Sequence, residues 1–289
     1  MDGTSNLDSP PPGASADWTI DQGWETYSPG EHKVWTTLYE RQVALLQDRA
    51  CAPFLRGLEA LDLKGDGIPD FARINTELMG LTGWQVVAVP GLVPDAIFFE
   101  HLAHRRFPAG RFIRTPDQLD YLQEPDVFHD VFGHVPMLTD PVFADYMAAY
   151  GRGGLRALRK GHLDHLARLY WHTVEFGLLR DDKGLRIYGA GIVSSRAESV
   201  FCLDAPSPHR LEFDLIRVMR TPYRIDDFQP TYFVIPSLEA LLAASLQDFA
   251  PVYDVLATLD DIPIGHVVAH DGVLHRGRQT HHGTRPAAQ

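Results

Sequence analysis

The most informative stretch of this chain is PDVFHDVFGHVP, residues 125–136. It places two imidazoles, His129 and His134, among apolar side chains. A carboxylate, Glu175, follows in a second stretch, WHTVEFG, residues 171–177. Two histidines and one carboxylate can bind a metal on one face and leave the opposite positions open, which is typical of non-haem Fe(II) sites that react with dioxygen. The pattern therefore favours an iron site built from these three side chains.

The local sequence also predicts how the two histidines are presented. Gly133 suits a left-handed helix cap, so the helix that carries His129 is expected to end there. Pro136 disfavours helical geometry in the residue before it, which supports the same boundary. We therefore expect His134 just past a helix end.

Glu175 falls in a strongly apolar segment, residues 166–179, that is expected to be one helix. A carboxylate in such surroundings is costly unless it is paired. The segment therefore predicts either a metal ligand or one partner of a structural salt bridge, and the nearby histidines favour the metal.

A zinc site is the main alternative for the same ligands. Zinc peptidases normally carry H-E-x-x-H, with a glutamate base between the two histidines. Here His129 and His134 are five apart, and the residue after the first is Asp130. Histidine and glutamate also suit zinc, so a zinc-dependent hydrolase stays open as an alternative.

The composition narrows the class of protein. With 45% hydrophobic and 22% charged residues among 289, the chain is typical of a globular protein, and a net charge of −12 argues against nucleic acid or an anionic membrane as partner. Its two cysteines, Cys51 and Cys202, show no metal-binding or disulfide pattern. The sequence has no secretory signal and no apolar stretch of transmembrane length, so we expect a cytoplasmic protein.

The expected fold class is α+β, mainly α: a single helical catalytic domain, residues 21–262, with a few short β-strands. Residues 1–20 are rich in Ser, Pro and Gly and are expected to form a flexible N-terminal arm. Residues 263–289 are expected to form a loosely ordered His-rich tail.

Capping residues and hydrophobic spacing predict the order of the elements. Ser28 is an N-cap followed by proline and, three residues on, by Glu31, so a first helix begins there. Asp140 is the N-cap of another helix, which we expect to end at Gly151. The other predicted elements are helices at 54–61, 71–79, 98–102, 166–179 and 238–249 and strands at 84–89, 111–114 and 228–235. We also expect a short strand that begins at Ile187 and runs into a loop ending at Ser195.

Several blocks of this sequence resemble the pterin-dependent aromatic amino acid hydroxylases, and most closely the bacterial members. The resemblance runs from about Tyr27 to Tyr253. One block alone is a weak indication, but their joint occurrence in order is highly specific. The blocks are VAVPGL (87–92), LQEPDVFHD (122–130), FGHVP (132–136), YWHTVEFG (170–177), YGAG (188–191) with SS (194–195), and FQP (228–230).

The resemblance implies an enzyme that hydroxylates L-phenylalanine to L-tyrosine, with Fe(II), a tetrahydropterin and dioxygen as co-substrate. It implies that iron is bound by His129, His134 and Glu175. Asp130 would lie on the pterin side, at a position where animal relatives carry glutamate. The residues implied for pterin binding are Gly91, Leu92, Phe98, Asp130 and Tyr170.

The resemblance also implies a substrate site. Arg114 would bind the substrate carboxylate, because a guanidinium fork suits a carboxylate. The aromatic ring would lie near Trp171, and Ser194 would also form a hydrogen bond with His129. The residues implied for substrate binding are Arg114, Pro125, Trp171, Gly191 and Ser194.

Ile225 bears on the choice of substrate. In the tyrosine-hydroxylating relatives an aspartate occupies this position, and an apolar residue suits an unsubstituted ring. L-Phenylalanine is therefore the expected substrate, with hydroxylation of tryptophan or tyrosine, or non-catalytic binding of metal or pterin, as alternatives. The C-terminal residues show no heptad pattern, so we expect a monomer.

Overall fold

Helices form about half of the described part of the chain, which comprises residues 9–64, 66–120, 122 and 124–278 of the computed structural model. Two of the helical segments have π-type hydrogen bonding, Phe128–His134 and Trp171–Glu175. The α-helices are α1 (Pro29–Leu46), α2 (Ala52–Ala60), α3 (Phe71–Thr82), α4 (Asp95–Ala103), α5 (Pro141–Lys160), α6 (Leu163–Tyr170), α7 (Ala190–Val193), α8 (Arg196–Asp204), α9 (Leu215–Met219), α10 (Leu238–Leu246) and α11 (Ala250–Leu256).

The strands are few and short, so the predicted α+β class, mainly α, is confirmed. β1 and β2 form a parallel pair, and the other strands form one mixed sheet in the order β4-β3-β6-β5-β7. The strands are β1 (Gln85–Val89), β2 (Arg106–Gly110), β3 (Leu178–Asp181), β4 (Gly184–Ile187), β5 (His209–Glu212), β6 (Thr231–Ile235) and β7 (Val273–His275).

Helix α1 begins as predicted and supports the His129 segment. The Ser28 side chain accepts the backbone N–H of Glu31, and the Glu31 carboxylate accepts the backbone N–H of Ser28, which completes a capping box. On its buried face, Trp35 packs edge-to-face on Phe128 with ring centroids 5.2 Å apart. This contact fixes the start of the segment that carries both histidines.

The segment around His129 and His134 differs from the prediction. It does not end at Gly133 but continues as a π-helix through His134 and passes into a 3-10 helix, Val135–Thr139. Gly133 serves close packing, because a Cβ at this position would lie 3.0 Å from the carbonyl oxygen of Ala190 in α7. The predicted left-handed cap is therefore wrong, and His134 lies within the helical segment.

The predicted helix over 166–179 is wrong in its second half. The α-helical part ends at Tyr170, the π-helix follows, and Leu178 already belongs to β3. Gly177 lies at the change of direction, where a Cβ would lie 2.2 Å from the ring of Tyr188. An apolar stretch buried on all sides does not by itself distinguish helix from strand.

Helix α5 also extends beyond its predicted end. Gly151 lies inside it, where a Cβ would come within 2.4 Å of the Ala103 backbone nitrogen, so this glycine lets α4 approach α5 closely. The helix ends instead at Gly161, whose φ of 73° is the left-handed conformation expected of a C-cap.

The strand predicted at 111–114 is not formed, and β2 lies just before it. Backbone groups of this segment form hydrogen bonds with residues that are not in a β-strand. The Arg114 N–H donates to the Asp126 carboxylate, and the Phe112 carbonyl accepts the N–H of Val127. The segment is thereby held against the start of the histidine segment. The strand predicted to begin at Ile187 is wrong, because this residue is the last of β4 and the chain then forms α7. The other predicted elements are confirmed with shifted bounds, as α2, α3, α4, α10, β1 and β6.

Both ends of the described chain pack on the domain, unlike the flexible arm and loose tail that we expected. Trp18 is buried, and the Ile20 N–H donates to the Ala88 carbonyl of β1. Near the other end, β7 pairs with β5. Residues 1–8 and 279–289, which also belong to these two predictions, lie outside the described residues.

None of the helices within the described ranges has both the length and the apolar character needed to cross a membrane.

Candidate active site

Three side chains from the two π-helices come together at the centre of the fold. Nε2 of His134 lies 3.2 Å from Nε2 of His129 and 3.2 Å from Oε1 of Glu175. The third separation, between His129 Nε2 and Glu175 Oε2, is 3.6 Å. In the part of the chain that the structure describes, these residues form the only cluster of three or more histidine, cysteine or acidic side chains with metal-binding spacing.

These separations fit a single metal ion. Two donors at right angles around a metal ~2.1 Å away lie ~3.0 Å apart. The two separations of 3.2 Å are close to that value, and the third is somewhat longer. The donor set of two imidazoles and one carboxylate therefore suits an ion held on one face, as in non-haem iron sites.

The protonation states also suit a metal. Burial lowers the pKa of His129 to about 4, against the opposing effect of Glu175. Burial alone would raise the pKa of Glu175, but His134 and His129 outweigh it and hold that pKa below its ordinary value. Neutral imidazole and ionised carboxylate are the forms that bind metals.

Ser194 fixes the tautomer of His129. Its Oγ lies 3.0 Å from His129 Nδ1 and donates to the Ala190 carbonyl at 2.7 Å. A hydroxyl has one hydrogen, so towards the imidazole it must act as acceptor, and Nδ1 carries the proton. The lone pair of His129 Nε2 is then free to point at the other two members of the cluster.

His134 is oriented differently. Its Nδ1 is buried and has no hydrogen-bond partner among the described residues. Its ring instead packs on Phe107, with centroids 4.8 Å apart, and lies nearly parallel to Tyr170. The first histidine is therefore held by a hydrogen bond and the second by packing.

A cavity of about 240 Å³ opens on one side of the three ligands; we call it the arginine cavity. It combines a guanidinium, a hydroxyl and an apolar wall. All five residues predicted to bind substrate line it, and these are Arg114, Pro125, Trp171, Gly191 and Ser194.

Arg114 is held by a partner that the sequence analysis missed. Its Nε and Nη2 donate to the two carboxylate oxygens of Asp126 at 2.8 and 2.9 Å. Asp126 is fully buried and also accepts the backbone N–H of His129. Burial opposes its ionisation, but Arg114 outweighs this and holds the pKa of Asp126 below its ordinary value. Two of the five guanidinium hydrogens are used in this pair, and three remain for a ligand.

Trp171 forms an aromatic wall of the arginine cavity. Its indole stacks on Tyr223 with centroids 4.2 Å apart and packs on Phe176 at 4.9 Å. The indole N–H donates to the Gln229 side chain at 3.1 Å. The ring is thus held both by stacking and by a directed hydrogen bond.

A second cavity, also of about 240 Å³, opens on the other side; we call it the aromatic cavity. Phe98 and Tyr170 meet there edge-to-face with centroids 5.9 Å apart. All five residues predicted to bind pterin line this cavity, and these are Gly91, Leu92, Phe98, Asp130 and Tyr170.

Asp130 is the buried acid of the aromatic cavity. Its Oδ2 accepts the backbone N–H of Gly110 at 2.7 Å. Burial raises the pKa of this carboxyl to about 7, even though the Gly110 hydrogen bond acts in the other direction. Near neutrality such a carboxyl can either donate or accept a hydrogen bond.

The two cavities meet at the candidate metal ligands. Pro125, His129 and Glu175 line both. An ion bound by the three ligands would therefore face both spaces, and two ligands could reach it at once.

Three residues of the site escaped the sequence analysis: Asp126, Tyr223 and Gln229. Asp126 could have been found, because an acid next to apolar Val127 and Phe128 needs a buried partner. Gln229 lies in the quoted FQP block, but its partner is 58 positions away in sequence. Tyr223 stands in an irregular segment, and no pattern around it indicates its role.

Comparison with known proteins agrees with this geometry. Residues 24–255 match the family model described as biopterin-dependent aromatic amino acid hydroxylase. A phenylalanine-4-hydroxylase of Caulobacter vibrioides is 68% identical over 280 residues, covering 97% of this chain and 95% of the relative. Another, from Ralstonia nicotianae, is 61% identical over 261 residues, covering 90% of this chain and 83% of the relative.

Solved structures give the same result. The crystal structure of Chromobacterium violaceum phenylalanine hydroxylase with bound iron and phenylalanine superposes with a TM-score of 0.87. The two chains are 52% identical, and the match covers 95% of this chain and 100% of the other. A structure of the same protein with bound oxidised Fe(III) gives a TM-score of 0.88.

Proposed function

The chain belongs to the family of biopterin-dependent aromatic amino acid hydroxylases, and on that premise we propose that it hydroxylates L-phenylalanine to L-tyrosine with Fe(II), a tetrahydropterin and dioxygen. The observation that carries the proposal is one His/His/Glu cluster shared by two cavities, one with a guanidinium and one with an aromatic lining. The relatives named above are hydroxylases, which favours this function over a zinc-dependent hydrolase or a non-catalytic binding protein.

His129, His134 and Glu175 would hold the iron. When bound, iron and the reduced pterin supply the activation of dioxygen, which protein side chains cannot perform. The protein contributes a defined donor set, since Ser194 keeps the proton on Nδ1 of His129 and leaves Nε2 for the metal.

In the arginine cavity, Arg114 would bind the substrate carboxylate through the donors that Asp126 leaves unused. The substrate ring would then extend towards Trp171, with its reactive edge near His129 and Glu175. Holding both ends of the substrate lowers the entropy cost of reaction at one ring position.

In the aromatic cavity, Phe98 and Tyr170 offer apolar ring surfaces to a flat heterocycle. Gly91 and Leu92 border the same space, and Asp130 supplies a polar group within it. A pterin has a planar ring with polar edges, and a cavity of this composition suits such a ring.

Ile225 supports an unsubstituted ring as substrate. It lines the arginine cavity and is 64% exposed, so it lies at the cavity mouth. It offers no hydrogen-bonding group to a ring hydroxyl, whereas a site selective for tyrosine needs one.

The test is aerobic incubation of Fe(II)-loaded protein with L-phenylalanine and tetrahydrobiopterin, with tyrosine measured by chromatography. We expect tyrosine only when Fe(II), pterin and oxygen are all present. Zn(II)-loaded protein and protein treated with a chelator serve as controls. Absence of tyrosine in the complete reaction, with tryptophan and tyrosine also unreacted, would contradict the proposal.

We also propose that residues 21–262 form the catalytic domain, against which the described parts of both flanking segments pack, and that the chain acts as a cytoplasmic monomer. Both cysteines are free and buried, which agrees with a reducing compartment. The net charge of −12 agrees with a small-molecule substrate and not with nucleic acid or an anionic membrane as partner. Light scattering of the purified protein tests the oligomeric state, and a dimer mass would contradict that part.

A further inference from the structure

The side chain of Gln229 connects two separate walls of the arginine cavity. It is 1% exposed, and its Oε1 accepts the indole N–H of Trp171 at 3.1 Å. Its Nε2 donates to the backbone carbonyl of Arg224 at 2.8 Å and approaches that of Asp227 at 3.4 Å. One buried amide thus joins the aromatic wall to the loop that precedes Gln229 in the chain, residues 224–228.

The orientation of this amide is fixed by its partners. The indole N–H can only donate, and backbone carbonyls can only accept. A flipped amide would therefore lose all three contacts, and a hydrocarbon in its place would leave buried polar groups without partners. The side chain holds both walls in one relative position.

The loop joined in this way carries Ile225. Ile225 lines the arginine cavity together with Trp171, although its side chain is exposed at the mouth. Loop residues 224–228 have no regular secondary structure, so no backbone ladder holds them. Phe228 also anchors the loop, since its ring stacks on Phe201 of α8, and the Gln229 amide joins the loop to the indole of Trp171. We therefore expect the distance between Ile225 and the indole plane to depend on Gln229.

A buried acid supports Gln229 from behind. Glu198 in α8 is fully buried, accepts the phenol hydroxyl of Tyr232, and has an oxygen 3.4 Å from the Gln229 backbone nitrogen. Tyr232 lies in β6, in the mixed sheet. Backbone and side chain of Gln229 are thereby tied to the rigid part of the fold.

We propose that Gln229 is a positioning residue that sets ring selectivity, by holding the indole of Trp171 and the loop carrying Ile225 at a fixed separation. The inference rests on the proposed function, because it assumes that a substrate ring enters the arginine cavity. Without this amide, the space between the indole of Trp171 and Ile225 widens, and the arginine cavity admits bulkier rings. A ring that is less well held is also hydroxylated less efficiently per pterin consumed.

Two substitutions separate the two connections. Gln229→Met keeps the length of the side chain and removes all three hydrogen bonds. Gln229→Glu keeps an acceptor for the indole N–H but places an oxygen against the Arg224 carbonyl, so it releases the loop alone. Gln22→Met is the matched control: Gln22 is also buried and also bonded at both ends of its amide, to Pro69 and Phe71, but it lines neither cavity.

The measurement is the ratio of kcat/KM for L-phenylalanine to that for L-tryptophan, together with tyrosine formed per tetrahydropterin oxidised. We expect both Gln229 variants to lower the ratio about fivefold or more, which corresponds to one buried hydrogen bond of ~1 kcal/mol. Both should also form less tyrosine per pterin. Gln22→Met should lower the melting temperature and leave both quantities unchanged.

Calorimetric titration of the Fe(II)-loaded variants with L-phenylalanine and with L-tryptophan gives the same selectivity without turnover. If wild type forms no tyrosine, the proposed function fails. If wild type forms tyrosine and both Gln229 variants keep the wild-type selectivity and coupling, only this inference is overturned, and Gln229 serves stability alone. If Gln229→Met does not fold, the Gln229→Glu variant still tests whether the connection between Gln229 and the loop affects selectivity.

Discussion

Ser194 shows how much of a metal centre can depend on one hydroxyl. It donates to Ala190 and therefore accepts from His129, which leaves the metal-facing nitrogen unprotonated. Groups that orient a ligand in this way contribute substantially to metal affinity.

Ser194→Ala should weaken Fe(II) binding by ~10-fold or more, because removing such an orienting partner typically costs ~10–100-fold. Competition with a chelating dye measures the dissociation constant for Fe(II). Ser245→Ala is the matched control: Ser245 is also buried and donates to a backbone carbonyl, but it lies outside both cavities. Equal iron affinity in the two variants would show that Ser194 does not orient the ligand.

Glu175→Gln should lower Fe(II) affinity by more than ~100-fold, because it removes the one negative donor rather than a supporting hydrogen bond. Metal analysis of the purified variant, with Glu100→Gln as a control at an exposed acid, measures the effect. Iron content equal to wild type would contradict the ligand assignment.

Arg114→Met should raise the KM for L-phenylalanine ~10-fold or more, because the carboxylate of the substrate loses its bidentate partner. It should also destabilise the protein by ~3–5 kcal/mol, since Asp126 stays buried without its cation. In Arg114→Met/Asp126→Asn the charge is gone, so stability should recover in part while KM stays high. If the stability recovers and the KM also returns to the wild-type value, Arg114 stabilises the fold and does not bind the substrate.

At the scale of the elements, the two π-helices decide the site. Residues five apart approach the same face when hydrogen bonds run from i to i+5, whereas in an α-helix they diverge. His129 and His134 are such a pair. The ligand residues are predictable from their chemistry, but their positions are not, because no propensity distinguishes a π-turn from the end of an α-helix.

Two glycines that were predicted to end helices are instead positions of close packing. Gly133 and Gly151 were expected to end helices, and both lie within helical segments that another element approaches closely. Which function a glycine serves depends on its neighbours in space, and these are not visible in one sequence. The Ser28 capping box was predictable because all its members lie within four residues.

Gly133→Ala should lower the free energy of unfolding by ~1–3 kcal/mol, because its Cβ would lie 3.0 Å from the Ala190 carbonyl of α7 and force it outward. Gly80→Ala is the control, since no atom lies within 4 Å of its added Cβ in α3. The control should gain ~0.5–1 kcal/mol from better helix propensity. Denaturant unfolding measures both, and equal effects would contradict the packing role of Gly133.

At the scale of the whole molecule, the fold class was predictable and the ends were not. Composition and helical periodicity indicated a mainly helical domain, since these features repeat over many residues. The segment around Trp18 is held by hydrogen bonds from Ile20 to β1 and between Asp17 and α4, and β7 is held by its pairing with β5; all these partners lie far away in sequence. A segment rich in histidine and glycine gives no indication of such a partner.

The two thiols should be inert in the folded protein. Burial raises the pKa of Cys51 to about 12 and that of Cys202 well above its ordinary value, so neither forms a thiolate near neutrality. Titration with a chromogenic disulfide reagent at pH 8 should detect no thiol in the native protein and both after unfolding. Rapid labelling of either cysteine in the native state would contradict this burial.

The wall that the two cavities share has a thermodynamic consequence. Pro125 touches both spaces, and so do His129 and Glu175. A ligand in one cavity that shifts any of them changes the free energy of occupying the other. Linkage requires the effect to be reciprocal: if the amino acid alters pterin affinity by some factor, the pterin must alter amino acid affinity by the same factor. Where the two ligands couple in this way, dissociation constants measured with one ligand alone do not describe the doubly occupied protein. A compound that bridges both cavities could exceed the affinity of either half.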